Sequence, residues 1–194
     1  VQQPRGSALR LRREYDVPFA CDASQWVGKL PSARLGESDF VTGCAHKFGG
    51  PVGVGFMKVP AVFRSLLVGG EQEDGRRAGT ENVPAVLAMV AAWRLREQQI
   101  AAGEHRVREG WRDAFVDGIL RELPGSFVLG TPSPASGESV MRAVADSFGG
   151  KAPRLWNTAA VLMPPTPDCR RGWVVMLDKQ GFAVSTGSAC ASGK

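Results

Sequence analysis

Lys47 sits in the stretch CAHKFGG at 44–50, flanked by Cys44, His46 and a pair of glycines. Glycine gives up backbone stability to allow close approach or unusual dihedrals, so these neighbours suit a bound group better than a plain surface cation. Lysine amines form Schiff bases, and a pyridoxal 5'-phosphate site needs such a lysine plus a carboxylate that keeps the pyridine nitrogen protonated. Asp22 is a carboxylate of that kind, ending the apolar run VPFAC and followed by Ala23, Ser24 and Gln25. The alternative is a helix cap, a common role for Asp before a helix. The third candidate is Cys190 in VSTGSACASG at 184–193, whose small, turn-forming neighbours imply an accessible thiol. It is a nucleophile if the folded site supplies thiolate character and a bystander otherwise.

These residues converge only if the elements before them share one sheet. The apolar runs 17–21 and 40–43 predict two buried strands, which would bring Asp22 and Lys47 to the same sheet edge, where α/β sheets bind ligands. After FGGPVGVG at 48–55, a third strand is expected over 54–59 as a hairpin partner or edge. The polar, glycine-rich loop GGEQEDGRRAGTEN at 69–82 is too long for a simple turn and leads into a helix near Asn82, Val83 and Pro84. Val83, Val86, Leu87, Val90 and Trp93 predict an amphipathic helix to about 102, bridging two domains. A second helix is expected over 105–123, with Val107, Trp111, Phe115, Ile119 and Leu120 on one face and ProGly ending it. Strands at 127–129 and 157–162, a helix at 171–180 and a strand at 182–185 follow, whereas 130–151 carries no clear pattern. The expected class is α/β, with an α/β half joined through the long helix to a smaller α+β half.

Composition narrows the function classes. A chain of 194 residues, 43% hydrophobic and 22% charged, is globular, with one large domain or two small ones. No apolar run is long enough to span a bilayer, and the basic opening residues lack the apolar core of a secretory signal, so a cytoplasmic protein with no membrane partner is expected. The net charge of +5 comes from 24 basic and 19 acidic residues spread along the chain, which argues against a nucleic-acid surface. Cys21, Cys44, Cys169 and Cys190 form no CxxC pair, and His46 and His105 are the only imidazoles, so reduced thiols and no metal site are expected.

Four stretches occur in one order: DASQWVGKLP at 22–31, AHKFGGP at 45–51, GRRAGTENVP at 75–84 and STGSACASG at 185–193. Together they resemble cysteine desulfurases of the class V aminotransferase family, and the resemblance covers most of 15–193. It implies part of the pyridoxal-phosphate-binding large domain at 1–82, a linking helix at 83–104 and part of a small α+β C-terminal domain at 105–194. By this resemblance Lys47 holds the cofactor, Asp22 pairs with the pyridine nitrogen, Gln25 bonds the ring hydroxyl oxygen and His46 lies near the phosphate. Thr80 matches the threonine that reaches the phosphate of a neighbouring subunit, implying a homodimer with shared sites. Cys190 would take sulfur from L-cysteine as a persulfide, leaving alanine, and pass it to an acceptor protein or scaffold for iron–sulfur cluster assembly or thiolation. Cys44 departs from the family's phosphate-binding serine, a thiol being the weaker donor, and Val52 replaces a common lysine. Family members are also longer, at both ends, so the chain resembles a fragment, and weak cofactor binding with little turnover is expected of it alone. The competing functions are another class V aminotransferase or selenocysteine lyase activity, or an incomplete remnant acting as a folding or interaction module.

Overall fold

The computed structural model describes residues 5–129, 154–164 and 169–186. The chain divides into two compact units, residues 1–111 with 153–157, and residues 112–152 with 158–194. The division falls within the helix His105–Glu122 (α3), so the long helix Val83–Ala101 (α2) belongs to the first unit.

The first unit is built on three short strands, Ala20–Asp22 (β1), Phe40–Cys44 (β2) and Gly55–Lys58 (β3), in spatial order β1-β2-β3. β1 runs parallel to β2, pairing Cys21 with Val41 and Asp22 with Thr42, and β3 returns antiparallel at the edge, pairing Cys44 with Gly55. Along β2, Val41 and Gly43 are buried while Thr42 is exposed, the alternation of a strand with one covered face. Gly43 is required by packing, since a Cβ there would meet the ring of Phe56 at 2.5 Å.

α2 covers that face. Asn82 caps it by accepting from the Ala85 amide at 3.2 Å, and Pro84 stands in its first turn, where a missing N–H costs nothing. Met89 joins Ala23, Val27, Leu35, Val41, Ala45 and Phe48 in the core, with Val86, Ala92 and Trp93 packed around them. The Trp93 ring lies 4.7 Å from the Phe56 centroid and 6.0 Å from that of Phe48. Its indole N–H donates to the Ser32 hydroxyl at 3.1 Å, and that hydroxyl donates to Glu97 at 2.7 Å, so the helix is fixed polar group by polar group as well as by burial.

An additional helix, Arg5–Tyr15 (α1), precedes the sheet, in a stretch for which the sequence predicts no element. Leu9 is buried, and Arg12 forms a two-point pair with Asp39, Nε to Oδ2 at 2.8 Å and NH2 to Oδ1 at 2.5 Å. Asp39 also accepts from the Phe19 amide at 2.8 Å, joining α1 to the entry of β1.

In the second unit, Phe127–Val128 (β4) and Val161–Leu162 (β5) form an antiparallel pair in which Val128 is fully buried. The helix Cys169–Lys179 (α4) follows. The strand expected at 182–185 is not formed. A strand needs a partner for its ladder, and instead the Phe182 amide donates to the Leu177 carbonyl at 2.9 Å, closing the end of α4. On α3 the apolar stripe is exposed at Val107, Trp111 and Phe115, while Val116 is the buried position. The unpatterned segment 130–151 lies outside the described residues.

Candidate active site

Parallel pairing of β1 and β2 puts their C-terminal ends at one edge of the sheet. Asp22 ends β1, and the turn 24–29 carries Gln25; Cys44 ends β2, and the 3-10 turn Ala45–Lys47 carries His46 and Lys47. Four of these side chains, Asp22, Gln25, His46 and Lys47, are exposed, whereas Cys44 is half-buried with Sγ 3.9 Å from His46 Nε2. Asp22 accepts from the Ser24 amide at 2.9 Å. The Ser24 hydroxyl and then its amide hold the carboxyl below the ordinary aspartate range, so it is ionised at neutral pH. The cap expected as the alternative is therefore present as a local turn, closed by Asp22 ahead of residues 24–29 rather than ahead of a helix.

The Lys47 turn is held at both ends. Ala45 is fully buried; its amide donates to the Val54 carbonyl at 3.1 Å, and its carbonyl accepts from the Phe48 and Gly50 amides at 3.0 and 2.9 Å. Phe48, 3% exposed, anchors the far end in the core. Gly28 packs against it with φ +74°, and a Cβ at Gly28 would overlap Phe48 Cβ.

Two residues at this edge were not singled out by sequence reasoning. Lys29 is only 6% exposed, and its Nζ donates to the Lys47 carbonyl at 3.3 Å. Burial first, and then the Lys47 charge, push its amine below the ordinary lysine range. Arg96 of α2 donates from Nε to the Phe48 carbonyl at 3.0 Å and from NH1 to Gln99 at 2.9 Å. The one local signal was a lysine inside the apolar stretch WVGKLP.

Thr80 is exposed in the loop between β3 and α2, and Cys190 lies outside the described residues. Among the described residues Cys21 and Cys44 form no disulfide, no cluster of three His, Cys, Asp or Glu could hold a metal ion, and no helix is long and apolar enough to cross a membrane.

The exposed Lys47 and the ionised Asp22 thus follow adjacent parallel strands at one sheet edge, the edge at which α/β sheets bind ligands. Residues 1–193 match the family model for class V aminotransferases, and the chain belongs to that family. It is 37% identical over 180 residues to a cysteine desulfurase of Cereibacter sphaeroides, covering 90% of this chain and 40% of that one. With the cysteine desulfurase NifS of Azotobacter vinelandii it shares 35% identity over 196 residues, covering 98% and 42% respectively. The chain thus spans about two fifths of the length of these curated relatives. Among solved structures a NifS-like protein superposes with a TM-score of 0.71 at 28% identity, over 94% of this chain and 45% of that one. The NifS-like protein of Rickettsia africae has the same fold, with a TM-score of 0.70 at 24% identity.

Proposed function

We propose that the protein to which this chain belongs removes sulfur from L-cysteine with pyridoxal 5'-phosphate, giving alanine and a persulfide on Cys190. The observation that carries the reading is the shared sheet edge, where the ionised Asp22 and the exposed Lys47 follow parallel strands. The names of the relatives, cysteine desulfurases, support the substrate.

The donor set suits the cofactor. Asp22 is a carboxylate already held ionised, as a partner for a protonated pyridine nitrogen must be. Gln25 can donate to the ring hydroxyl oxygen, and His46 with the Cys44 thiol offers donors toward the phosphate. Lys47 would hold the cofactor through Nζ, and its amine would be placed to take and return the proton at the substrate α-carbon. The bound cofactor supplies an electron sink for the pair left on that carbon.

Cys190 acts as thiolate on the substrate sulfur. The S–S bond forms as the substrate C–S bond breaks; the electron pair of that C–S bond stays with the carbon skeleton, which takes a proton and leaves as alanine. The transferred sulfur stays on Cys190 as the persulfide, and no outside oxidant or reductant is consumed. The persulfide then passes to an acceptor protein or scaffold, for iron–sulfur cluster assembly or thiolation.

Residues 1–82 are assigned to the cofactor-binding large domain, 83–104 to a linking helix and 105–194 to the small domain. We assign the protein to the cytoplasm, a reading that agrees with Cys21 and Cys44 being outside any disulfide. A homodimer is supported by the apolar stretch before the Thr80 loop, where Val62, Leu66 and Val68 are 95, 92 and 77% exposed, a surface that a second copy would cover. In that dimer Thr80 would reach the phosphate of the partner copy's cofactor.

The test supplies the whole protein to which this chain belongs with pyridoxal phosphate and L-cysteine, traps persulfide with an alkylating probe and measures alanine. Persulfide on Cys190, lost in Cys190→Ser with alanine formation and retained in Cys44→Ser and Cys169→Ser, is the expected result. Persulfide mapped to Cys169 would overturn the mechanism.

A further inference from the structure

We propose that Lys29 and Arg96 are positioning residues for Lys47, clamping two consecutive main-chain carbonyls of the turn that presents it. Lys29 Nζ donates to the carbonyl of Lys47 itself and Arg96 Nε to the next one, that of Phe48, at 3.3 and 3.0 Å. The two donors arrive from different elements, Lys29 from the turn after β1 and Arg96 from α2.

A lysine that is 6% exposed is unusual, because an ammonium loses its hydration on burial and is normally compensated by an anion. The charged groups that bear on Lys29 are Lys47 and Arg96, which are cations, and the Cys44 thiol. An apolar side chain of similar length would fill the same space without that penalty. What it could not do is donate to the Lys47 carbonyl, and a charge-assisted bond to a peptide oxygen is among the stronger of its kind.

Each arm is itself anchored. The Lys29 amide donates to the Trp26 carbonyl at 3.0 Å, and its carbonyl accepts from the Trp156 indole at 3.1 Å. Neighbouring Gly28 packs on Phe48. Arg96 rides on the helix whose Met89 and Trp93 pack into the core. The Ala45 end of the turn is closed by backbone bonds and the Lys47–Phe48 end by side chains, so the exposed Lys47 amine projects from a main chain fixed on both sides.

The significance of the clamp rests on Lys47 being the cofactor lysine; its existence does not. The first readout is therefore amide hydrogen exchange of the chain without cofactor. In Lys29→Met the Phe48 and Gly50 amides are expected to exchange about tenfold faster or more, the factor that loss of one charge-assisted bond implies. The Ala23 amide, bonded to Thr42 across β1 and β2, keeps its rate, and Lys29→Arg returns the turn to within about threefold of the parent. Should Lys29→Met fail to fold, Arg96→Gln makes the same test at the Phe48 carbonyl. The second readout is capture of pyridoxal phosphate on Lys47 by borohydride reduction, expected to slow about tenfold in Lys29→Met and to recover in Lys29→Arg.

Unchanged exchange at Phe48 and Gly50, or acceleration equal to that at Ala23, would overturn the proposal. A parent chain that captures no pyridoxal phosphate on Lys47 would overturn the cofactor reading instead, while exchange still decides the clamp.

Discussion

Gly28→Ala tests how tightly the Lys47 turn is built into the core. Gly28 has φ +74°, where an L-residue with a Cβ costs about 1–2 kcal/mol. The new methyl would also overlap Phe48 Cβ and lie 3.2 Å from Arg96 Cγ. Arg96 can shift its stem, but Phe48 is 3% exposed and has no such freedom, so the overlap falls under core overpacking, about 1–3 kcal/mol. Together the two effects amount to about 2–5 kcal/mol, a large share of a domain stability of about 5–15 kcal/mol. Urea unfolding followed by tryptophan fluorescence reads this directly, since Trp26, Trp93, Trp111 and Trp156 all lie in the first unit and Trp93 touches Phe48. With a mid-range slope of about 2 kcal/mol per molar urea, the midpoint should fall by about 1–2.5 M. A fall under about 0.5 M at unchanged slope would refute the close packing of Gly28 on Phe48.

Asp39 gives a pH signature. The Arg12 guanidinium and then the Phe19 amide hold its carboxyl well below the usual carboxylate range, so its contribution is present above about pH 4 and is lost as pH falls toward the lowered folded value. Asp39→Asn should therefore be less stable than the parent at pH 7 and lose less on acidification, with the two chains converging in urea melts at low pH; parallel pH profiles would contradict the pairing. Asp22→Ala should bind pyridoxal phosphate about tenfold to a hundredfold more weakly, the worth of one charge-assisted contact, while still allowing capture on Lys47. Equal affinity by equilibrium dialysis would remove Asp22 from the ring nitrogen. Val41→Ala, at a strand position 2% exposed, should cost about 1–3 kcal/mol in the same urea assay without altering the edge at which Asp22 and Lys47 sit.

The strands that carry the site were readable because each is an apolar run ended by a polar or glycine-rich break, and Asp22 and Cys44 fall at those ends. α2 was equally plain, since Asn82, Pro84 and the apolar spacing all mark one start. α1 was missed for the opposite reason. Its residues are mostly polar, and the contact that ties it down, Arg12 to Asp39, spans 27 residues and leaves no local pattern. The strand expected at 182–185 shows the same limit from the other side: local propensity was there, but pairing is a property of a partner. Lys29 and Arg96 escaped notice because a cation in sequence looks like solvent-facing charge, and only the fold shows both donating to the Lys47–Phe48 carbonyls. Lys47, Asp22 and Cys190 stood out as parts of motifs, and the roles proposed for them rest on residue type and order along the chain.

The central claim is that Lys47 carries the cofactor, and the direct measurement is to incubate the chain with pyridoxal phosphate, reduce with borohydride and map the modified peptide. A single pyridoxyl group on the AHKFGG peptide at Lys47, absent in Lys47→Arg, is the expected result. A label on Lys29, Lys58 or any other lysine, with Lys47 unmodified, would contradict it.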